Sequence, residues 1–273
     1  MDCSAKRATL KEEVAMINIA VNCLSRKNKL PYKSPNLGDN IHYANFAYQL
    51  HKKTGEKVIL HFGIEKTSER RWPEIISLFP ENSIGYKFYK KGNMSDNDWV
   101  DWLANEAAVE NPLIFAYRNP LTNEVHKIKH DLVFDDYLSL NSLLPAFEEC
   151  AADFKKPEKY IVVQWDATWV KRRLEESQIE EIENYYKERG YDIVPVGGLS
   201  ELTCLKESLK HIGYAISNAD YYVGINSGMW HMAQLYLPYQ RISCHTQPRH
   251  VNAKDDHVNR FINWGGKYNE YFD

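Results

Sequence analysis

Short apolar, β-branched runs alternate along this chain with stretches of helical length and periodicity. In the first half, Met16–Val21, Val58–Phe62, Ile84–Phe88 and Leu113–Ala116 read as strands. Between them, a helix opens at Leu37 and runs to about Lys52, and another spans Asp96–Ala108. In the second half the alternation is cleaner. Strands Tyr160–Gln164, Asp192–Val196, Tyr221–Ile225 and Arg241–Cys244 alternate with helices Glu176–Arg189, Leu205–Ser217 and Met229–Leu235. Within Glu176–Arg189, Ile179, Ile182 and Tyr186 fall at helical spacing, and Gly190 follows as a C′ residue. The run Ala219–Ile225 is apolar enough for a parallel strand covered on both faces. A polar, Pro-bearing stretch, Asp153-Phe154-Lys155-Lys156-Pro157-Glu158, separates the two series. The pattern therefore predicts an α/β protein of two Rossmann-like lobes facing a cleft. The expected lobes are 1–152 and 153–273, the second ending in a helical tail. Ligands of such sheets bind at the carboxyl ends of the strands.

The most informative stretch is Tyr222-Val223-Gly224-Ile225-Asn226-Ser227-Gly228-Met229-Trp230-His231-Met232-Ala233, a strand, a tight turn and a helix. Asn226-Ser227-Gly228 offers N-cap chemistry and a residue without Cβ, so a ligand can approach the backbone. A helix beginning there directs unpaired N–H groups and its positive end above the sheet, which suits an anion. His231, one turn in, either reaches that anion or is a core histidine. Near the N-terminus, Leu37-Gly38-Asp39-Asn40-Ile41-His42 opens the helix of a βαβ unit with Gly-Asp at its mouth.

Together the two motifs resemble glycosyltransferase family 9, the heptosyltransferases. Members carry Gly-Asp at the first loop–helix junction and Val-Gly-x-Asp-Ser/Thr-Gly-x-x-His-x-Ala in the second half. The order and rough separation agree, while residues 64–155 match only loosely. Asn226 stands where the family has Asp, and 273 residues is shorter than typical members.

The resemblance implies the two-lobed GT-B arrangement and an inverting transfer of sugar from a nucleoside-diphosphate donor to an acceptor hydroxyl. It makes Asp39 the general base. A carboxylate at a cleft-facing helix mouth suits that task, although Asp also caps helices. The family carries a donor-phosphate cation on the loop where this chain has Lys171-Arg172-Arg173, so Lys171 or Arg172 is the expected counterpart. Ser227 and the N–H groups of Gly228 and Met229 complete the expected diphosphate site. Asn226, which both donates and accepts where the family's Asp only accepts, implies a different donor sugar. Gly197-Gly198 suits a tight turn near the nucleotide, and Glu201 is a candidate for the ribose hydroxyls. Trp165, at a strand end, is either a packing residue or a stacking platform. No Asp-x-Asp stands in the usual metal-bridging manner of other glycosyltransferases, and Asp255-Asp256 is adjacent and near the C-terminus, so no metal and no cofactor are expected beyond the nucleotide sugar.

Charge is uneven. Residues 24–91 hold 13 Lys/Arg against 6 Asp/Glu, whereas residues 92–150 hold 3 against 11. Arg70, Arg71, Lys87, Lys90 and Lys91 interleave with aromatics and either bind an anionic acceptor or form a solvated surface. The family points to a lipopolysaccharide-type glycan, and the basic, aromatic first half also suits a phage-type enzyme acting on hydroxymethylated DNA bases. A net charge of −3 argues against a dedicated duplex binder. Two other classes share the fold: a sugar-nucleotide epimerase, and a binding module without catalysis, which Asn226 suggests. The five cysteines show neither paired nor metal-ligand spacing, and no run is long and apolar enough to span a bilayer. A cytoplasmic protein with reduced thiols is expected. The oligomeric state is open.

Overall fold

The computed structural model describes residues 16–22, 37–63, 72–89, 96–114, 142–166, 173–196, 208–225, 227–246 and 260–263. Four strands, β1 (Met16–Asn22), β2 (Lys57–Gly63), β3 (Ile84–Tyr89) and β4 (Leu113–Ile114), form one parallel sheet in the order β3-β2-β1-β4. Five others, β5 (Tyr160–Gln164), β6 (Asp192–Pro195), β7 (Tyr221–Ile225), β8 (Ile242–Thr246) and β9 (Arg260–Asn263), form a second parallel sheet, β6-β5-β7-β8-β9. The change of sheet falls between residues 114 and 160.

Helices α1 (Leu37–Thr54), α2 (Trp72–Ile76), α3 (Asp96–Asn105), α4 (Glu176–Lys187), α5 (Leu209–Ser217) and α6 (Gly228–Tyr236) connect the strands. Their ends follow local chemistry. Gly190 at φ +78° closes α4, with Tyr191 N–H donating to the Tyr186 carbonyl at 3.1 Å and Gly190 N–H to Lys187 at 2.9 Å. The helix expected from Leu205 begins at Leu209, because Ser208 takes the N-cap and accepts from His211 N–H. Of the tail expected to be helical, Arg260–Asn263 form strand β9, paired in parallel with β8, and the rest lies outside the described residues. A four-residue strand at a sheet edge is too short to show a period in sequence.

The strands are buried on both faces, as parallel strands must be. In the second sheet, Ile161, Val163, Val223 and Ile225 pack on Ile182 and Tyr186 of α4. The opposite face, with Tyr160, Val162 and Tyr222, packs toward α5 and α6. In the first sheet, Ala20 lies under Trp99 and Leu103 of α3, while Val58, Leu60 and Phe62 face α1. One apolar core runs through both inner faces, from Ile19 and Phe62 through Ile41 and Met232 to Tyr222 and Ile242. The two sheets are thus joined through α1, α2, α5 and α6. Two hydrogen bonds add to the joint. Leu144 N–H donates to the Leu235 carbonyl at 2.8 Å, and Leu209 N–H donates to the Glu74 carboxylate of α2 at 2.6 Å.

Candidate functional site

Each sheet has a point where the chain reverses its direction of strand addition. In the first it lies between β1 and β4, in the second between β5 and β7. At such points neighbouring crossovers leave the sheet on opposite faces and open a crevice at the carboxyl ends. The second is bounded by Gln164 at the end of β5 and Ser227 beyond β7. Both are buried, and the Ser227 hydroxyl donates to the Gln164 side-chain carbonyl. Gln164 in turn donates to the Asp166 main-chain carbonyl. Ser227 holds the N-cap position of α6, yet its hydroxyl makes no cap bond. The N-cap chemistry expected of it is replaced by a strut across the switch point.

Helices α1 and α6 both begin at the carboxyl edge of their sheet, and their first turns touch. A Cβ at Gly38 would lie 2.5 Å from His231 Cδ2 and 3.5 Å from Gly228 Cα. A Cβ at Gly228 would lie 3.3 Å from Leu37 Cβ and 3.4 Å from Gly38 N. The missing side chain of Gly228 therefore admits α1, where the sequence suggested room for a ligand. Two helix N-termini in contact concentrate positive potential and unpaired N–H donors. Like ends repel, and an anion bound at their common mouth offsets that repulsion.

His231, half-buried, lies at this junction. Its ring is 3.8 Å, centroid to centroid, from His42 of α1 at an interplanar angle of 61°, and 4.7 Å from Trp230. Burial holds His42 down at about 4, so it is neutral at physiological pH. Asp39 lies in the first turn of α1, since the helix begins at Leu37. It is a first-turn residue, therefore, and does not take the cap position. A carboxylate there is favoured by the helix dipole.

The structure thus brings Gly38, the Asp39 backbone, Ser227, Gly228 and His231 together. Lys171, Arg172, Gly197, Gly198, Glu201, Asn226, Arg70, Arg71, Lys90 and Lys91 lie outside the described residues, as does the Asp39 side chain. Lys87 is exposed on β3, an edge strand, beside buried His61. Trp165 donates through its indole N–H to Glu183 at 3.0 Å and meets His245 edge-on at 6.1 Å, so it packs at the crevice rim. His245 is fully buried at the end of β8, and burial lowers it to about 3. Sequence reasoning assigned no role to His42, which stands in the Gly-Asp segment, and placed Gln164 at a strand end on the cleft edge without a role. The available signal was the polar series Gly38, His42, Asn45, Gln49, a stripe along one side of α1.

Among the described residues there is no group of three or more His, Cys, Asp or Glu able to hold a metal ion. None of the described helices is long and apolar enough to cross a membrane. Cys150 and Cys244 are buried, and neither forms a disulfide.

No protein-family model matches the sequence, and a search of curated proteins finds no match. Solved structures do match. A glycosyltransferase family 9 protein from Veillonella parvula is 15% identical with a TM-score of 0.53, the match covering 92% of this chain and 86% of that one. ADP-heptose lipopolysaccharide heptosyltransferase II of Escherichia coli is 13% identical at TM-score 0.51, with 90% of each chain covered. The iron-containing dodecameric glycosyltransferase TibC of E. coli is 12% identical at TM-score 0.53, covering 94% of this chain and 65% of that one. The chain has the α/β fold of the family 9 glycosyltransferases and heptosyltransferases.

Proposed function

We propose that this protein is an inverting glycosyltransferase whose two Rossmann-like halves, 1–152 and 153–273, supply acceptor and donor sites respectively. The observation that carries the reading is the contact of the α1 and α6 N-termini, with Asp39 in the first turn of one and His231 in the first turn of the other. A nucleoside-diphosphate sugar suits this junction. Its diphosphate takes the N–H groups at the mouth of α6 together with Lys171 or Arg172, while Asn226, Ser227 and His231 border the sugar. Gly197, Gly198 and Glu201 serve the nucleoside. Asp39 accepts the proton of the acceptor hydroxyl as that oxygen attacks the anomeric carbon, and the nucleoside diphosphate leaves from the opposite face. In this reading the helix ends and basic side chains bear the leaving-group charge without a resident metal.

The acceptor is anionic, either a lipopolysaccharide-type glycan or hydroxymethylated DNA, and it approaches over Arg70, Arg71, Lys87, Lys90 and Lys91. In this reading the protein acts in the cytoplasm with its thiols reduced.

A panel of nucleotide sugars tests this directly, by thermal shift followed by incubation without acceptor. A transferase is stabilised by one donor and hydrolyses it slowly. Interconversion of the sugar would indicate an epimerase, and stabilisation without turnover a binding module. No stabilisation by any nucleotide sugar would overturn the reading.

A further inference from the structure

We propose that His42 is a positioning residue, its ring forming the wall that seats the His231 side chain at the mouth of α6 for contact with the donor. The role of His231 rests on the glycosyltransferase reading, whereas the seat itself rests on geometry. Three surfaces bound the His231 ring: the backbone at Gly38, the indole of Trp230, and the ring of His42. Trp230 precedes His231 on its own helix, so it moves with it. Gly38 and His42 belong to α1, one turn apart, and both tie the ring to the helix of the other sheet. The Gly38 side is already closed, since a single added carbon would lie 2.5 Å from the ring. The remaining freedom of the ring is limited by His42, whose centroid lies 3.8 Å away at 61°. The angle is that of an edge-to-face pair, and the separation is shorter than the roughly 4.5–7 Å usual for such pairs, so the two rings press directly on each other. His42 stays neutral because burial disfavours its protonated form, so it adds no cation beside Asp39, one turn earlier on α1.

Ring packing makes a distinct prediction about substitutions. Phenylalanine at position 42 keeps the wall, and alanine removes it. The test uses the full chain and two readouts. The first is the ring resonance of His231 in the ligand-free protein, assigned through His231→Asn. The second is donor KM against kcat for the nucleotide sugar that gives the largest thermal shift. His42→Ala should move the resonance and raise donor KM by about 5- to 50-fold with kcat changed less, while His42→Phe returns both close to wild type. The double variant His42→Ala/His231→Asn should be no worse than His231→Asn alone, since one residue acts through the other.

A resonance unchanged in His42→Ala, additive effects in the double variant, or failure of phenylalanine to rescue in a protein of unchanged melting temperature would overturn the proposal. If no nucleotide sugar binds the wild type, the donor reading falls and the role given to His42 in donor contact falls with it. The resonance still decides the seat in that case.

Discussion

Two glycines show how much a missing side chain fixes at the candidate site. The space beside Gly38 is filled by the His231 ring at 2.5 Å, and that beside Gly228 by Leu37 at 3.3 Å. Gly38→Ala must therefore displace a ring or a helix and should cost about 1–3 kcal/mol in denaturant unfolding. Gly228→Ala asks for a few tenths of an ångström from Leu37 and the α1 backbone at Gly38, a smaller shift than the one at Gly38, and should cost less. Equal costs would mean that the α1–α6 contact is looser than described. Asp39→Asn keeps the size of the side chain and removes proton acceptance. Donor binding should survive and turnover should fall by about 10²–10⁴-fold, read by calorimetry and steady-state kinetics. Activity within a few-fold of wild type would assign the base elsewhere. Gly38-Asp39 and Gly228 were legible in sequence because tight turns at helix mouths leave a local signature. That the two mouths touch was not legible, because the contact joins residues far apart in the chain.

At the scale of elements, the strands were readable because parallel strands buried on both faces are continuous apolar runs, as in Tyr160-Ile161-Val162-Val163. Strand order was hidden, since it depends on which side each crossover takes. Helix α2 was also missed, being five residues long with Pro73 in its first turn. Another hidden feature ties the first sheet together through polar groups. The Tyr89 hydroxyl donates to His61 Nδ1 at 3.0 Å, His61 Nε2–H donates to the Asn18 side-chain carbonyl at 2.9 Å, and Asn18 Nδ2 donates to the Glu110 carbonyl at 2.9 Å. This chain fixes one neutral tautomer of a fully buried ring. Burial, with help from the Lys87 charge, holds His61 at about 4 against 6.5 for a free histidine.

The unfolded chain therefore binds a proton below about pH 6.5 that the folded chain refuses until about pH 4. Stability should fall as pH drops through that window, with the full contribution present above it and no further loss below. Half-buried His42 and buried His245 act in the same direction. His61→Gln keeps a donor and an acceptor without titrating. Urea titrations between pH 7.5 and 4.5 should show its stability declining less steeply than wild type, by about one proton. Parallel pH curves would show that His61 is not held neutral.

Across the whole molecule, one apolar core joins two sheets whose carboxyl edges meet at the α1–α6 mouth, the arrangement that the proposed chemistry requires. The alternation of strands and helices made two sheets legible. The shared core was not, because the contact stripe on α1 (Gly38, His42, Asn45, Gln49) is small or polar and reads as solvent-facing. Asn45, Gln49 and Ser142 in fact form a buried hydrogen-bonded group, with Gln49 donating to Ser142 Oγ at 2.7 Å and Ser142 donating to Asn45.

The acceptor question also belongs to this scale. Neutralising Lys87, Lys90 and Lys91 together should raise acceptor KM and leave donor KM unchanged. With a DNA acceptor, the variant should also flatten a steep fall of binding with salt, while a phosphorylated glycan gives a shallower fall from the start. Wild-type behaviour at low salt with both acceptors would make the patch a solvated surface.

In the proposed mechanism the meeting of two helix N-termini is the donor site. A crystal structure with the nucleotide sugar that most raises the melting temperature tests it most directly. The diphosphate should lie on the N–H groups of Gly228 and Met229, with the anomeric carbon turned toward Asp39. A nucleotide bound over the first sheet, or at any place away from the α1–α6 mouth, would contradict it.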